Sequence, residues 1–396
     1  MIDFDLSIKT KLYFGPGKEE RIGDILKEYS FNNVLIVVGQ SSVRKSGLLD
    51  RVVKQIENKD IKWTLIEGVR PNPTIDFVLS GLDVARKIKP DAILAIGGGS
   101  VIDTAKLIAA GYYYDGTPFD FNLHKAKPQK ALPIGVILTI SAASSEMSTS
   151  CVIQDDNTGV KTGFNSELIR PVFAIENPEL TYGVSQYQTA CGVVDIMMHT
   201  LERYFQPSSN NEPADGFAEA VLKSVIKAGQ KVIRNPDDYE SRAVLMLMSS
   251  WSHNGLTSIG KPFGMPVHQL EHALSGIYSS VAHGAGLAVL WPAWAKYYVD
   301  YEEDKFDQYA RNVWGSMIPD KRKNALEGIK LTEEFFKYLG MPSRLMDFRV
   351  GAIDIEGLVN MFTNNGTRVV AHRSKPLDGE VAKTIFSSCS RKKEKL

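Results

Sequence analysis

Five of the seven histidines, His199, His253, His268, His272 and His283, fall in one stretch of the chain, and their spacing suits metal chemistry. Asp195 and His199 stand four residues apart, which puts a carboxylate and an imidazole on one helix face. His268 and His272 repeat that spacing, and His283 follows a turn-like Ser279-Ser280-Val281-Ala282. One carboxylate with three imidazoles gives a divalent first-row ion four ligands of mixed nitrogen and oxygen type, with room for a substrate oxygen; iron or zinc fits best. A lone histidine is more often a hydrogen-bonded core residue, but two such pairs and a third site favour a metal. Spacing alone leaves open whether His268 or His272 is the ligand. His253, His124 and His372 lack comparable partners and read as structural or surface residues.

A second constellation lies in the first half of the chain. An apolar run at 92–96 leads into Gly97-Gly98-Gly99-Ser100 and then a helical stretch at 101–112. Such a turn suits a pyrophosphate: glycines let the backbone approach the anion, and the first helix amides are unpaired donors at the positive end of the dipole. The pattern is neither GxGxxG nor a P-loop, because Lys106 lies too far along. Binding of a dinucleotide is expected rather than phosphoryl transfer. The first apolar strand ends in Val38-Gly39-Gln40-Ser41-Ser42-Val43-Arg44-Lys45, without the acid that commonly holds an NAD ribose. Gly39, the hydroxyls of Ser41 and Ser42, and Arg44 or Lys45 could instead accept a 2′-phosphate, so NADP(H) is favoured over NAD(H).

These residues need elements to hold them. Between about 30 and 140, apolar runs at 34–38, 63–67, 92–96 and 134–139 alternate with helical periodicity at 42–58, 75–87 and 101–112, the rhythm of a parallel sheet with crossover helices. From about 184 the apolar residues recur at three- and four-residue intervals, which predicts helices over 186–205, 212–232, 241–258, 267–275, 287–299 and 321–339. Pro207-Ser208-Ser209-Asn210 and Asn235-Pro236-Asp237-Asp238 punctuate them. The expected division is an α/β dinucleotide-binding domain at 1–182 and an all-helical, metal-binding domain at 183–396.

Composition narrows the function classes. With 43% hydrophobic and 23% charged residues, the 396-residue chain has the balance of a soluble globular protein, and its length favours two domains. Lys+Arg and Asp+Glu are equal at 46 each, so no overall positive field draws nucleic acid, and the basic ending Arg391 to Lys395 reads as a solvated helix end. Cys151, Cys191 and Cys389 make neither a disulfide framework nor a CxxC metal site. The acidic start lacks the apolar run of a signal peptide, and no stretch suits a membrane span. A cytoplasmic protein with no membrane partner is expected.

Taken in order, Phe14 to Gly17, Pro71-Asn72-Pro73, Gly97 through Lys106, Thr139 through Glu146, Asn177 through Thr181, Asp195-xxx-His199 and His268 through Gly286 resemble the iron-containing alcohol dehydrogenases, and among them the NADPH-dependent butanol dehydrogenase-like branch. The resemblance covers nearly the whole chain. It implies a dehydroquinate synthase-like architecture, with a Rossmann-like parallel sheet followed by an all-α domain. It also implies Asp195, His199, His268 and His283 as metal ligands and His272 near the nicotinamide as a proton relay. Cofactor contacts carry over to Gly39, Ser41, Ser42, Asn72, Gly98, Gly99, Ser100, Asp103, Thr139, Ser148, Lys161 and Leu180, with Asp103 also a catalytic candidate. A homodimer built partly through an N-terminal strand is implied too.

Two departures stand out. Where the family carries a glycine before its Ser-Glu pair, this chain has Ser144, and the interval from His268 to His283 is one residue longer than the commoner pattern. The expected reaction moves a hydride between the nicotinamide and a small primary alcohol or aldehyde of butanol or butanal size, with the metal activating the substrate oxygen. Leu256, Ile259, Phe263 and Met265 hint at a pocket for short unbranched substrates. The alternative is a metal- and NAD-dependent lyase of the dehydroquinate synthase type. Its polyanionic substrates call for Lys and Arg beside the metal, and 268–286 contains neither.

Overall fold

A computed structural model of the chain describes residues 1–206, 211–262, 264–372 and 374–390. The turn signal at 207–210, Phe263 and the basic ending at 391–395 lie outside the described residues. Two compact units emerge, Ser7–Val184 and Ser185–Leu396, the latter joined by Met1–Leu6. The sequence had assigned those six residues to the first domain.

The first unit is built on a six-stranded, wholly parallel sheet in the order β1-β8-β5-β4-β2-β3. Its strands are β1 (Lys11–Phe14), β2 (Asn33–Gly39), β3 (Lys62–Val69), β4 (Ala92–Gly97), β5 (Ile134–Leu138) and β8 (Phe173–Glu176). A separate antiparallel pair, β6 (Ser150–Gln154) with β7 (Lys161–Asn165), forms a hairpin. Helices α1 (Ile22–Glu28), α2 (Ser42–Lys45), α3 (Leu48–Glu57), α4 (Ile75–Ile88), α5 (Gly99–Gly111) and α6 (Phe119–Asn122) connect the strands. β4 and β5 are buried throughout and β2 is buried from Val34 to Val38, runs made largely of Val, Ile, Leu and Ala, as expected of strands covered on both faces. The helix predicted over 42–58 is split, because Gly47 takes a left-handed φ of 68° between α2 and α3.

The second unit is helical: α7 (Gln186–Tyr204), α8 (Glu212–Arg234), α9 (Tyr239–His253), α10 (Pro266–Ile277), α11 (His283–Tyr298), α12 (Glu303–Trp314), α13 (Lys321–Tyr338), α14 (Ile355–Thr363) and α15 (Gly379–Ser390). Its largely aliphatic core also holds a group of large rings, among them Tyr204, Phe205, Trp291, Trp294, Phe306 and Tyr309. A buried polar knot pins the end of α7: Lys261 Nζ donates to Asp215 Oδ1 at 2.5 Å and to the Arg203 carbonyl at 3.2 Å, and Lys305 joins the same carboxylate. Such a charge cluster is tolerated inside because each ion is paired. The helix predicted over 241–258 stops at His253; Gly255, at φ 109°, ends it, and a single 3-10 turn follows. None of the helices among the described residues is long and apolar enough to cross a membrane.

Candidate metal centre and dinucleotide-binding edge

The long helix α7 begins where Ser185 caps it, its hydroxyl accepting from the Gln188 amide at 3.2 Å. One buried face of α7 presents Asp195 and His199; α10 contributes His268, and His283 is the first residue of α11. The three imidazoles aim the same atom at one place. His199 Nε2, His268 Nε2 and His283 Nε2 lie 3.4, 3.5 and 3.7 Å from Asp195 Oδ1. Ligating atoms of Asp195, His199 and His268 all fall within 4.8 Å of one another, and those three residues are buried. His283 is the more open member, with its side chain 27% exposed.

The far nitrogen of each ring is also occupied. His199 Nδ1 meets His253 Nδ1 at 2.8 Å, His268 Nδ1 bonds Glu202 Oε2, and His283 Nδ1 bonds Glu271 Oε2. Partners of this kind fix ring orientation and leave the opposite nitrogen free to coordinate. Asp195 Oδ1 and His268 Nε2 are buried without a hydrogen-bond partner, a costly arrangement for polar atoms unless something binds there. A divalent cation satisfies both at once, and the N3O donor set fits it. Asp195, His199 and His268 thus form a divalent metal site.

The protein's own field at this site is uneven. Burial, reinforced by His253 and His268, pushes His199 well below the usual imidazole range. His268 is instead raised to about 9: burial opposes its charge, but the carboxylates of Glu202 and Asp195 prevail. Both rings must be neutral at Nε2 to coordinate, so proton release accompanies metal binding.

Sequence reasoning set His253 aside and did not single out Glu202 or Glu271. The carboxylates were legible in principle, since Glu202 stands three residues after His199 and Glu271 three after His268. Nothing in the sequence tells which ring each one reaches. His272 sits one turn beyond His268, partly buried, with its ring 6.0 Å from that of His283. His124 lies in an exposed turn at φ 56°, and His372 packs on Tyr298 with ring centroids 4.4 Å apart.

In the first unit, chain order reverses between β2 and β4: β3 lies to one side and β5 to the other. Dinucleotides bind outside the carboxyl ends of parallel strands at such a switch point. Gly39 ends β2, Ser41 and Ser42 open α2, and Gly97 to Ser100 join β4 to α5. The turn needs its glycine at 98, because a methyl there would come within 2.3 Å of Ile140 Cγ2. Helix α5 starts at Gly99, two residues earlier than predicted, so its free amides belong to the glycine turn itself. Asn72 follows β3 in a left-handed conformation at φ 54°, its Oδ1 accepting from Lys161 Nζ at 3.1 Å. Thr139 follows β5, its amide donating to the Gly97 carbonyl at 3.1 Å.

Three of the expected contacts also have partners within their own unit. Ser148 is buried, and its carbonyl and hydroxyl accept from the buried Lys106 Nζ at 3.0 and 3.3 Å. Asp103 accepts from Ser145 Oγ at 2.6 Å and from the Val152 amide at 2.9 Å, so it holds the loop between β5 and β6. Burial raises its carboxyl, against the pull of Lys106 and Ser145. Leu180 packs against the apolar core of its own unit.

Comparison with known proteins agrees with this geometry. Residues 9–178 match the family model of iron-containing alcohol dehydrogenase, and residues 189–374 match the C-terminal model of the Fe-containing alcohol dehydrogenase family. The chain is 41% identical over 391 residues to NADH-dependent butanol dehydrogenase A of Clostridium acetobutylicum, covering 98% of this chain and 99% of the other. It is 31% identical to the NADPH-dependent aldehyde reductase YqhD of Escherichia coli, covering 92% and 94%. Among solved structures, NADH-dependent butanol dehydrogenase A from Thermotoga maritima superposes with a TM-score of 0.94 at 33% identity, over 99% of each chain.

Proposed function

The chain belongs to the iron-containing alcohol dehydrogenase family, a class of metal-dependent oxidoreductases, and from that premise we propose that it interconverts small primary alcohols and aldehydes of butanol and butanal size. The observation that carries the reading is the convergence of three Nε2 atoms on Asp195 Oδ1 around two buried, unpartnered polar atoms. A bound divalent cation, iron or zinc, supplies Lewis acidity toward the substrate oxygen, and a bound nicotinamide supplies or accepts the hydride.

Asp195, His199 and His268 hold the ion, and His283 completes the set from its more open position. Glu202, Glu271 and His253 keep the rings turned toward it. His272 passes the proton that accompanies hydride transfer. Gly98, Gly99 and Ser100 receive the pyrophosphate at the start of α5, while Asn72, Lys161 and Thr139 line the same strand-end edge. Asp103 acts as a positioning residue through Ser145.

The decisive experiment measures steady-state rates with NADH and NADPH on a series of straight-chain aldehydes, using protein of known metal content. Turnover that rises with metal occupancy is expected, and His268→Ala should lose metal and activity together. His272→Ala should keep its metal and shift the pH profile. Metal-replete protein that reduces no aldehyde with either coenzyme would overturn the reading.

A further inference from the structure

We propose that Glu67 sets the coenzyme preference of this chain in favour of the dinucleotide with a free 2′-hydroxyl, NADH, by supplying a carboxylate at the end of β2 and by occupying Arg44. The inference rests on the dehydrogenase reading above and concerns the adenosine end of the coenzyme. The sequence expectation of NADP(H) draws on the end of β2, whose last residues carry no acid and are followed by Arg44 and Lys45, and on the resemblance to an NADPH-dependent branch. Pairing of the strands changes that picture. Val38 lies opposite Glu67, and the register then skips Gly68, at φ 119°, so that Gly39 lies opposite Val69. A bulge of this kind re-aims the neighbouring side chain. Glu67 thus lies opposite the residue that leads into the turn from Gly39 to Ser42.

Arg44, on α2 just past that turn, points its guanidinium back at the same carboxylate. Nε lies 2.6 Å from Glu67 Oε1, and the two side chains remain 50% and 30% exposed. A surface pair this open contributes little to stability, so its charge pattern matters more than its strength. A 2′-phosphate arriving at the end of β2 would bring nearly two negative charges toward Glu67 and find Arg44 already engaged. A ribose 2′-hydroxyl instead finds in Glu67 the acceptor that NAD-binding folds place at this point, here carried on the neighbouring strand.

The test compares the wild-type holoenzyme with Glu67→Gln and with the Glu67→Gln, Arg44→Ala double variant. For each, the Kd of NADH and NADPH is read by coenzyme fluorescence and kcat/KM with butanal is measured. Each comparison is a ratio of two coenzymes on one sample, so partial misfolding cancels. The wild type should favour NADH, and Glu67→Gln should raise the NADPH-to-NADH ratio about tenfold, the scale of one charge-assisted hydrogen bond. Removing Arg44 as well should cut that gain back to the part owed to the lost ribose hydrogen bond, with Lys45 present throughout. A wild type that favours NADPH, an unmoved ratio in Glu67→Gln, or a gain undiminished by loss of Arg44 would overturn the assignment. A wild type that binds neither coenzyme would instead sink the dehydrogenase reading, and this inference with it.

Discussion

Glu202 does two things at once: one oxygen accepts from the Val267 amide at 2.5 Å and the other holds His268 Nδ1. Glu202→Gln should therefore weaken metal affinity by about 10- to 100-fold, the usual effect of losing a partner behind a metal-bound imidazole. Competition with a chromophoric chelator reads this directly, and excess metal should restore much of the turnover; unchanged affinity would strip Glu202 of its role. At this scale the sequence revealed the atoms that face the ion better than those behind them. Asp195 with His199 is a local, helical relation and could be read from spacing. His253 meeting His199, or Glu271 meeting His283, is a relation between helices and has no signature in either one alone. Glu67 is the same case on a sheet: its importance appears only once β3 is laid beside β2.

At the scale of elements, the loop between β5 and β6 carries the plainest departure from the family pattern. Ser144 sits at φ 57°, the left-handed conformation that glycine adopts without strain. An L-residue there costs roughly 1–2 kcal/mol, and glycine gives back about 0.5–1 kcal/mol as lost chain entropy. Ser144→Gly relieves that strain but also removes the contacts of a serine only 2% exposed, so the fold should change by no more than about 1 kcal/mol and Tm by no more than a few degrees. A calorimetric scan checks this, and a fall in Tm would mean that the serine side chain earns its place through contacts of its own. Long apolar runs made β2, β4 and β5 legible from sequence. The four-residue strands β1 and β8 lie at and next to the sheet edge and carry too little periodicity to register. The periodicity predicts a start of α11 at residue 287 because Gly284 and Gly286 mask the helical pattern, yet the helix begins at His283 itself. Gly284 permits that start, for a methyl there would meet the Cys191 carbonyl on α7 at 2.2 Å.

Across the whole molecule, the first residues leave the α/β unit and join the helical one, where the Ile2 amide donates to the Gly260 carbonyl at 3.0 Å. Ile2, Phe4 and Leu6 alternate with Asp3 and Asp5 and are 53%, 49% and 43% exposed. Apolar side chains held open at every second position suit a strand-like contact with another chain, and we propose that they serve the homodimer implied by the family resemblance. Sedimentation at low micromolar concentration should give a dimer, and Phe4→Glu with Leu6→Glu should shift it to the monomer. Dimers that withstand both changes would move the interface elsewhere.

The clasps behind the three imidazoles run in one direction through the helical unit. His253 on α9 steadies a ring of α7, Glu202 on α7 steadies a ring of α10, and Glu271 on α10 steadies a ring of α11. Every ring thus takes its bearing from a helix other than its own, and no helix in the series can shift without disturbing the next. Tuning this centre to a different ion is consequently a concerted problem, in which an exchange at one ring propagates to the neighbour that steadies it.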